Sequence, residues 1–161
     1  WLSTHSSALA SQELFLTAGS GRRALELIAV FDSADAVHLS PDEDPHVVCS
    51  LLARFLARLD TPLWGNTPEE ALAFQRDVSA SRKTRRGKIP ASALSGLLMR
   101  LPPRNRACFR EIARMVKVGC EGGWVEKSKM DACKYAGRLM PQVRDVLTIA
   151  VLEFDDVFNT A

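Results

Sequence analysis

The chain has 161 residues, 47% of them hydrophobic and 25% charged, and a net charge of +2. That balance excludes a disordered tail, a fibrous repeat and a polycation built to coat nucleic acid, and the length suits one domain with one core. The longest apolar run, VLTIAVL at 146–152, is far shorter than the ~18 residues of a membrane span and is flanked by Arg144, Asp145 and Glu153.

Helical periodicity dominates in chain order, and strand-like alternation is scarce. A loop over 12–20, rich in small and polar residues, leads to a helix that starts near Ser20, with Leu25, Ile28 and Phe31 as its apolar stripe and Leu27 and Val30 widening it. Asp44 as cap and Pro45 in the first turn open a second helix, which carries Val48, Leu51, Leu52, Phe55, Leu56 and Leu59 on one face and stops at Pro62. A third begins after Thr67, where Glu69 and Glu70 suit the first turn, and fades into the basic segment. That segment, a basic loop within 80–90, holds Arg82, Lys83, Arg85, Arg86 and Lys88 without an acid and reads as the least ordered internal stretch. Ser92–Met99 forms a short helix closed by Leu101, Pro102 and Pro103. From Asn105 a longer one buries Cys108, Phe109, Ile112, Met115 and Val116 and ends at Gly119. Helices near 128–139 and 142–158, broken at Pro141, complete an all-α bundle spanning 1–161 as a single domain. The start at Trp1 is expected of a segment cut from a longer protein.

The cysteines at 49, 108, 120 and 133 form no C-x-x-C pair, and His5, His38 and His46 stand apart from them, so free buried thiols in a reducing cytosol are expected and no metal or other cofactor is implied. GSG at 19–21 lacks the Gly-Lys-Ser/Thr of a phosphate-cradling loop, and Trp1, Trp64 and Trp124 are too scattered for a single-strand platform. Arg106, Arg110 and Arg114 repeat at i, i+4 with Lys117 close by, a stripe that must face water or an anion.

Four blocks in order carry a resemblance: ELFLTAG at 13–19, EDPHVVCSLLARFLARLDTPL at 43–63, LPPRN at 101–105, and SKMDACKYA at 128–136 followed by Pro141. They resemble the RhoGAP domain family, whose members carry G-I-F-R-x-S-G, EDPHVVA-S-L-L-K-x-F-L-R-E-L-P-x-P-L, L-P-x-x-N and N-K-M-x-x-x-N-L-A. The resemblance implies an all-α RhoGAP-like helical bundle and a small GTPase of the Rho, Rac or Cdc42 type, or a related one, as partner. It also implies four altered polar positions: the finger arginine falls on Leu16, the lysine of L-L-K on Ala53, the arginine of F-L-R on Ala57, and the asparagine of N-L-A on Lys134. LPPRNRACFREI is further similar to the RhoGAP-like domains attached to inositol polyphosphate 5-phosphatases, where an uncharged residue also replaces the finger.

The expectation is therefore a catalytically inactive RhoGAP-like interaction module, cytoplasmic or peripheral at membranes, with Leu16, Ala53, Ala57 and Lys134 at the partner-binding positions. Leu16 either packs inward with Leu14 and Phe15 or meets the partner. Ala53 and Ala57, one turn apart, either admit close helix packing or offer the partner a smooth face. Two alternatives stand beside this expectation. One is a working activator that uses Arg22 or Arg23 in place of the finger. The other is an anionic-lipid module acting through Arg82, Lys83, Arg85, Arg86 and Lys88.

Overall fold

The structure is a computed structural model that describes residues 14–15, 17–33, 37–84, 89–121 and 135–158, with the backbone alone at 82–84 and 142. Seven α-helices are assigned among them: α1 (Gly21–Ser33), α2 (Pro45–Ala57), α3 (Pro68–Thr84), α4 (Ala91–Met99), α5 (Pro103–Glu121), α6 (Arg144–Leu152) and α7 (Phe154–Phe158). A 3-10 turn, Pro141–Val143, precedes α6; residues 135–139 are also helical, and no strand occurs among the described residues.

The helix starts follow local chemistry. The Ser20 hydroxyl accepts from the Arg23 N–H and caps α1, and Asp44 accepts from the His46 N–H at 2.9 Å ahead of Pro45. At α3, Thr67 accepts from the Glu70 N–H, while the Glu70 carboxylate takes the Asn66 N–H at 2.7 Å. The first bond satisfies a donor which a helix start otherwise leaves open, and the second ties down the residue before the cap.

The main core lies between α2, α3, α4, α5, α6 and α7. Phe109, Ile112, Ala113, Val116 and Gly119 give α5 a continuous buried face against Val146, Leu147 and Ala150 of α6 and Phe154 and Val157 of α7. A smaller cluster of Ala24, Leu27 and Val47 joins α1 to α2. Each fully buried Leu, Val or Phe contributes about 1.5–3 kcal/mol, so the α5–α6–α7 contact is a major source of stability.

Several expectations are corrected. In α1 the buried residues are Ala24 and Leu27, whereas Leu25 and Phe31 are 62% and 46% exposed, because this peripheral helix packs chiefly on α2. Phe55 is 61% exposed, and α2 ends at Ala57 rather than Pro62, with the Arg58 N–H donating to the Arg54 and Phe55 carbonyls. Helix α3 continues to Thr84, so Arg82 and Lys83 lie on helical backbone instead of in a loop. Pro103 opens α5 rather than closing α4, as its missing N–H costs nothing in a first turn. Gly119 is buried inside α5, where core packing outweighs the ~0.5–1 kcal/mol glycine costs a helix. The last helix is split at Glu153 into α6 and α7. Of the cysteines, Cys49 is buried, Cys120 half-buried and Cys108 exposed, and none of the three is in a disulfide; Cys133 lies outside the described residues.

Candidate functional site

The loop that precedes α1 is fastened to α2 at three points. Leu14 and Phe15 are buried in the main core, and their burial offsets a left-handed backbone at Phe15 (φ 63°), a conformation that costs a non-glycine residue about 1–2 kcal/mol. The Phe15 backbone also hydrogen-bonds the Cys49 thiol, which burial pushes up to about 12, so this sulfur stays protonated and inert. Further on, the Gly19 N–H donates to Ser50 Oγ at 3.3 Å. A Cβ on Gly19 would sit 2.3 Å from the Val47 nitrogen and 2.6 Å from the His46 carbonyl carbon, so only glycine allows this approach of loop to helix.

Between loop and helix opens a cleft of about 480 Å³. Thr17, Gly19 and Gly21 line it from the loop and the start of α1, Ser50, Ala53 and Arg54 from α2, and Arg138 from the helical residues 135–139. Ala53 is half-buried and packs on the core while also lining the cleft, so close packing and an open face coexist there. Ala57 is exposed and lines a smaller hollow of about 90 Å³ with Leu56, Leu63, Trp64, Arg138 and Pro141. The two alanines thus share a helix side and border neighbouring depressions, joined by Arg138. Leu16, Lys134, Arg85, Arg86 and Lys88, and the side chains of Arg82 and Lys83, lie outside the described residues.

Arg23 is committed elsewhere. Its guanidinium takes the Glu43 carboxylate at 2.7 Å and also reaches Glu26, while Arg22 bonds Glu26 at 3.2 Å. The Glu43 side chain is 7% exposed, and the hydrogen bond from Arg23 holds its carboxyl below the usual range against the opposing effect of burial. This pair ties the first turn of α1 to the turn before α2. Both arginines of the displaced-finger alternative are thus paired with carboxylates in this structure.

The α5 stripe is also corrected: it meets protein, not open water alone. Arg106 donates to the Met99 carbonyl, Arg110 lies 5.9 Å from the Phe158 ring, Arg114 pairs with Glu111, and Lys117 bonds Asp155 at 3.1 Å while covering the Phe154 ring. The basic side chains fasten α5 to α7 and to the end of α4. No group of three His, Cys, Asp or Glu among the described residues is placed to hold a metal ion.

Neither Arg54 nor Arg138 falls on a polar position of the family pattern, so spacing alone does not mark either as a site residue. Asn105 of the LPPRN block lies in the first turn of α5, and its amide donates to the Gly65 carbonyl at 3.1 Å, fixing the turn after α2 to the start of α5.

The RhoGAP domain family model matches residues 3–144. No curated protein matches the chain in sequence. Among solved structures, the crystal structure of human Rho GTPase activating protein 15 is similar with a TM-score of 0.73 at 16% identity, covering 98% of this chain and 82% of that one. At that identity the likeness speaks for the fold alone. The family match runs from the anchored loop through α1–α5 to the turn that opens α6, and with it the chain belongs to the RhoGAP domain family, a family that regulates Rho-type GTPases.

Proposed function

We propose that this domain binds a small GTPase of the Rho, Rac or Cdc42 type, or a related one, without accelerating its GTP hydrolysis. The observation that carries the reading is the leucine at position 16, where the family's arginine finger falls, on a loop whose neighbours Phe15 and Gly19 are fastened to α2. Phosphoryl transfer develops charge on the transferring group, and an arginine supplied in trans is worth roughly 10³–10⁵ in rate. Leucine brings neither charge nor donor. Ala53, Ala57 and Lys134 stand where the family has lysine, arginine and asparagine, which extends the loss beyond one residue.

The second reading, an activator with a displaced arginine at 22 or 23, is disfavoured for Arg23 by the Arg23–Glu43 pair, which would have to break for it to reach a nucleotide. Arg22 holds only an exposed pair with Glu26, and its case is decided by the hydrolysis experiment. Single-turnover GTP hydrolysis by a panel of Rho-family GTPases, with the domain in catalytic amounts, separates the two. We expect no acceleration, together with measurable binding by calorimetry to at least one GTP-loaded member. Acceleration that vanishes in Arg22→Ala or Arg23→Ala establishes the second reading, and any acceleration overturns the first. Leu16→Arg is expected not to restore full activity, since positions 53, 57 and 134 still lack the family side chains.

A further inference from the structure

Five arginines among the described residues are paired with acids. Arginines 22, 23, 100, 114 and 144 each face a carboxylate within ion-pair distance. Arg54 and Arg138, like Arg58 and Arg104, are exposed with no ion pair or side-chain hydrogen bond among the described residues, and what sets the first two apart is that both line the cleft of about 480 Å³ against the anchored loop. Among the described residues no carboxylate lines that cleft. Two uncompensated guanidinia on separate elements therefore converge on one concave surface, an arrangement that repels cations and attracts oxyanions. The helix dipole favours a cation at Arg54, in the last turn of α2, but it does not explain why Arg138 shares the cleft.

The size of the cleft discriminates between occupants. A lone anion comparable to a water, about 30 Å³, leaves such a volume mostly empty, whereas a segment of protein surface with its side chains fills it. Guanidinium forks are matched to carboxylates, bidentately and with charge-assisted hydrogen bonds. We propose that Arg54 and Arg138 are the docking site for an acidic segment of the partner GTPase, each guanidinium taking a carboxylate. The proposal rests on the GTPase-binding reading above. It places the electrostatic contact one residue along α2 from Ala53, the position where the family carries its lysine, and adds a second cation from the far side of the cleft. Binding charge of this kind is present before and during hydrolysis alike, so it adds affinity without adding rate.

Two measurements test it. In the first, calorimetry follows binding of GTP-loaded Rho-family GTPases to the chain and to Arg54→Ala, Arg138→Ala, the double Arg54→Glu/Arg138→Glu variant, and Arg104→Ala as an exposed control outside the cleft. Each single cleft variant is expected to weaken binding about tenfold, the double variant far more, and Arg104→Ala not at all, with unchanged melting temperatures and a shallower salt dependence in the cleft variants. In the second, a blocked hexaglutamate peptide is titrated into labelled protein while the arginine Nε–Hε resonances are followed. The signals of Arg54 and Arg138 are expected to shift and saturate while that of Arg104 stays in place. If the peptide moves those two signals but no GTPase binds, the functional reading falls and the anion-binding cleft stands. If a GTPase binds and the cleft variants match the wild type, the functional reading stands and this proposal falls. It falls as well if Arg104 shifts equally, or if Arg138→Ala abolishes an acceleration of hydrolysis, since the guanidinium then serves a phosphate and not a carboxylate.

Discussion

Replacing Gly19 with alanine tests whether the loop is held where the site needs it. The added Cβ would lie 2.3 Å from the Val47 nitrogen and 2.6 Å from the His46 carbonyl carbon, both backbone atoms of a capped helix start that cannot rotate away. Restoring a normal contact of about 3.5 Å requires the loop to retreat by roughly 1 Å. The Gly19 N–H to Ser50 Oγ bond, already 3.3 Å long, does not survive that shift. Overpacking costs about 1–3 kcal/mol and the lost hydrogen bond about 0.5–1.5 kcal/mol, against which the stiffer unfolded chain returns about 0.4–1 kcal/mol. The net expectation is a loss of about 1–3 kcal/mol, or roughly 2–12 °C in melting temperature for a domain of this size. Urea denaturation of the two proteins measures it. A Gly19→Ala variant within about 0.5 kcal/mol of the wild type would refute the claim that close backbone approach pins the loop to α2.

Three further outcomes are expected. Gly96→Ala, in the middle of α4 with nothing within 4 Å of the new Cβ, should stabilise the domain by about 0.5–1 kcal/mol, so melting temperatures for the two glycines should move in opposite directions. Thiol labelling of native protein at pH 8, read by peptide mass, should modify Cys108 quickly and leave Cys49 untouched until denaturant is added, because Cys49 is buried with its thiol pushed up to about 12. The folded carboxyl of Glu43 titrates lower than in the unfolded chain, so its contribution to stability is fully present above the unfolded value of about 4.3 and fades as pH falls through the folded one. Glu43→Gln should therefore be less stable than wild type near neutral pH, with the gap closing in acid; a gap that persists unchanged to pH 2 would remove Arg23 as the cause.

Local chemistry was sufficient for the helices and their starts: Ser20, Asp44–Pro45 and Thr67 act through atoms two or three residues away, and spacing in α5 marked Phe109, Ile112, Met115 and Val116 as its inner face. The four ordered blocks were enough to name the family, since the residues that carry them lie close together in sequence. Periodicity failed where a helix has more apolar residues than neighbours to cover them, as for Leu25, Phe31 and Phe55, and at Cys108, which shares α5 with the core but faces outward. Charge spacing misread the α5 stripe for a related reason: its partners, Asp155 and Phe158, come from α7, about 40 to 50 positions further on. The meeting of Arg54 with Arg138, the grip of Glu43 on Arg23 and the seat of Gly19 on Val47 likewise join residues distant in the chain. Such contacts depend on how helices pack, which no short-range rule encodes. Sequence alone thus determined the helical class and the residue types at the inherited positions, while tertiary packing decided which cations stayed uncompensated and which cleft they share.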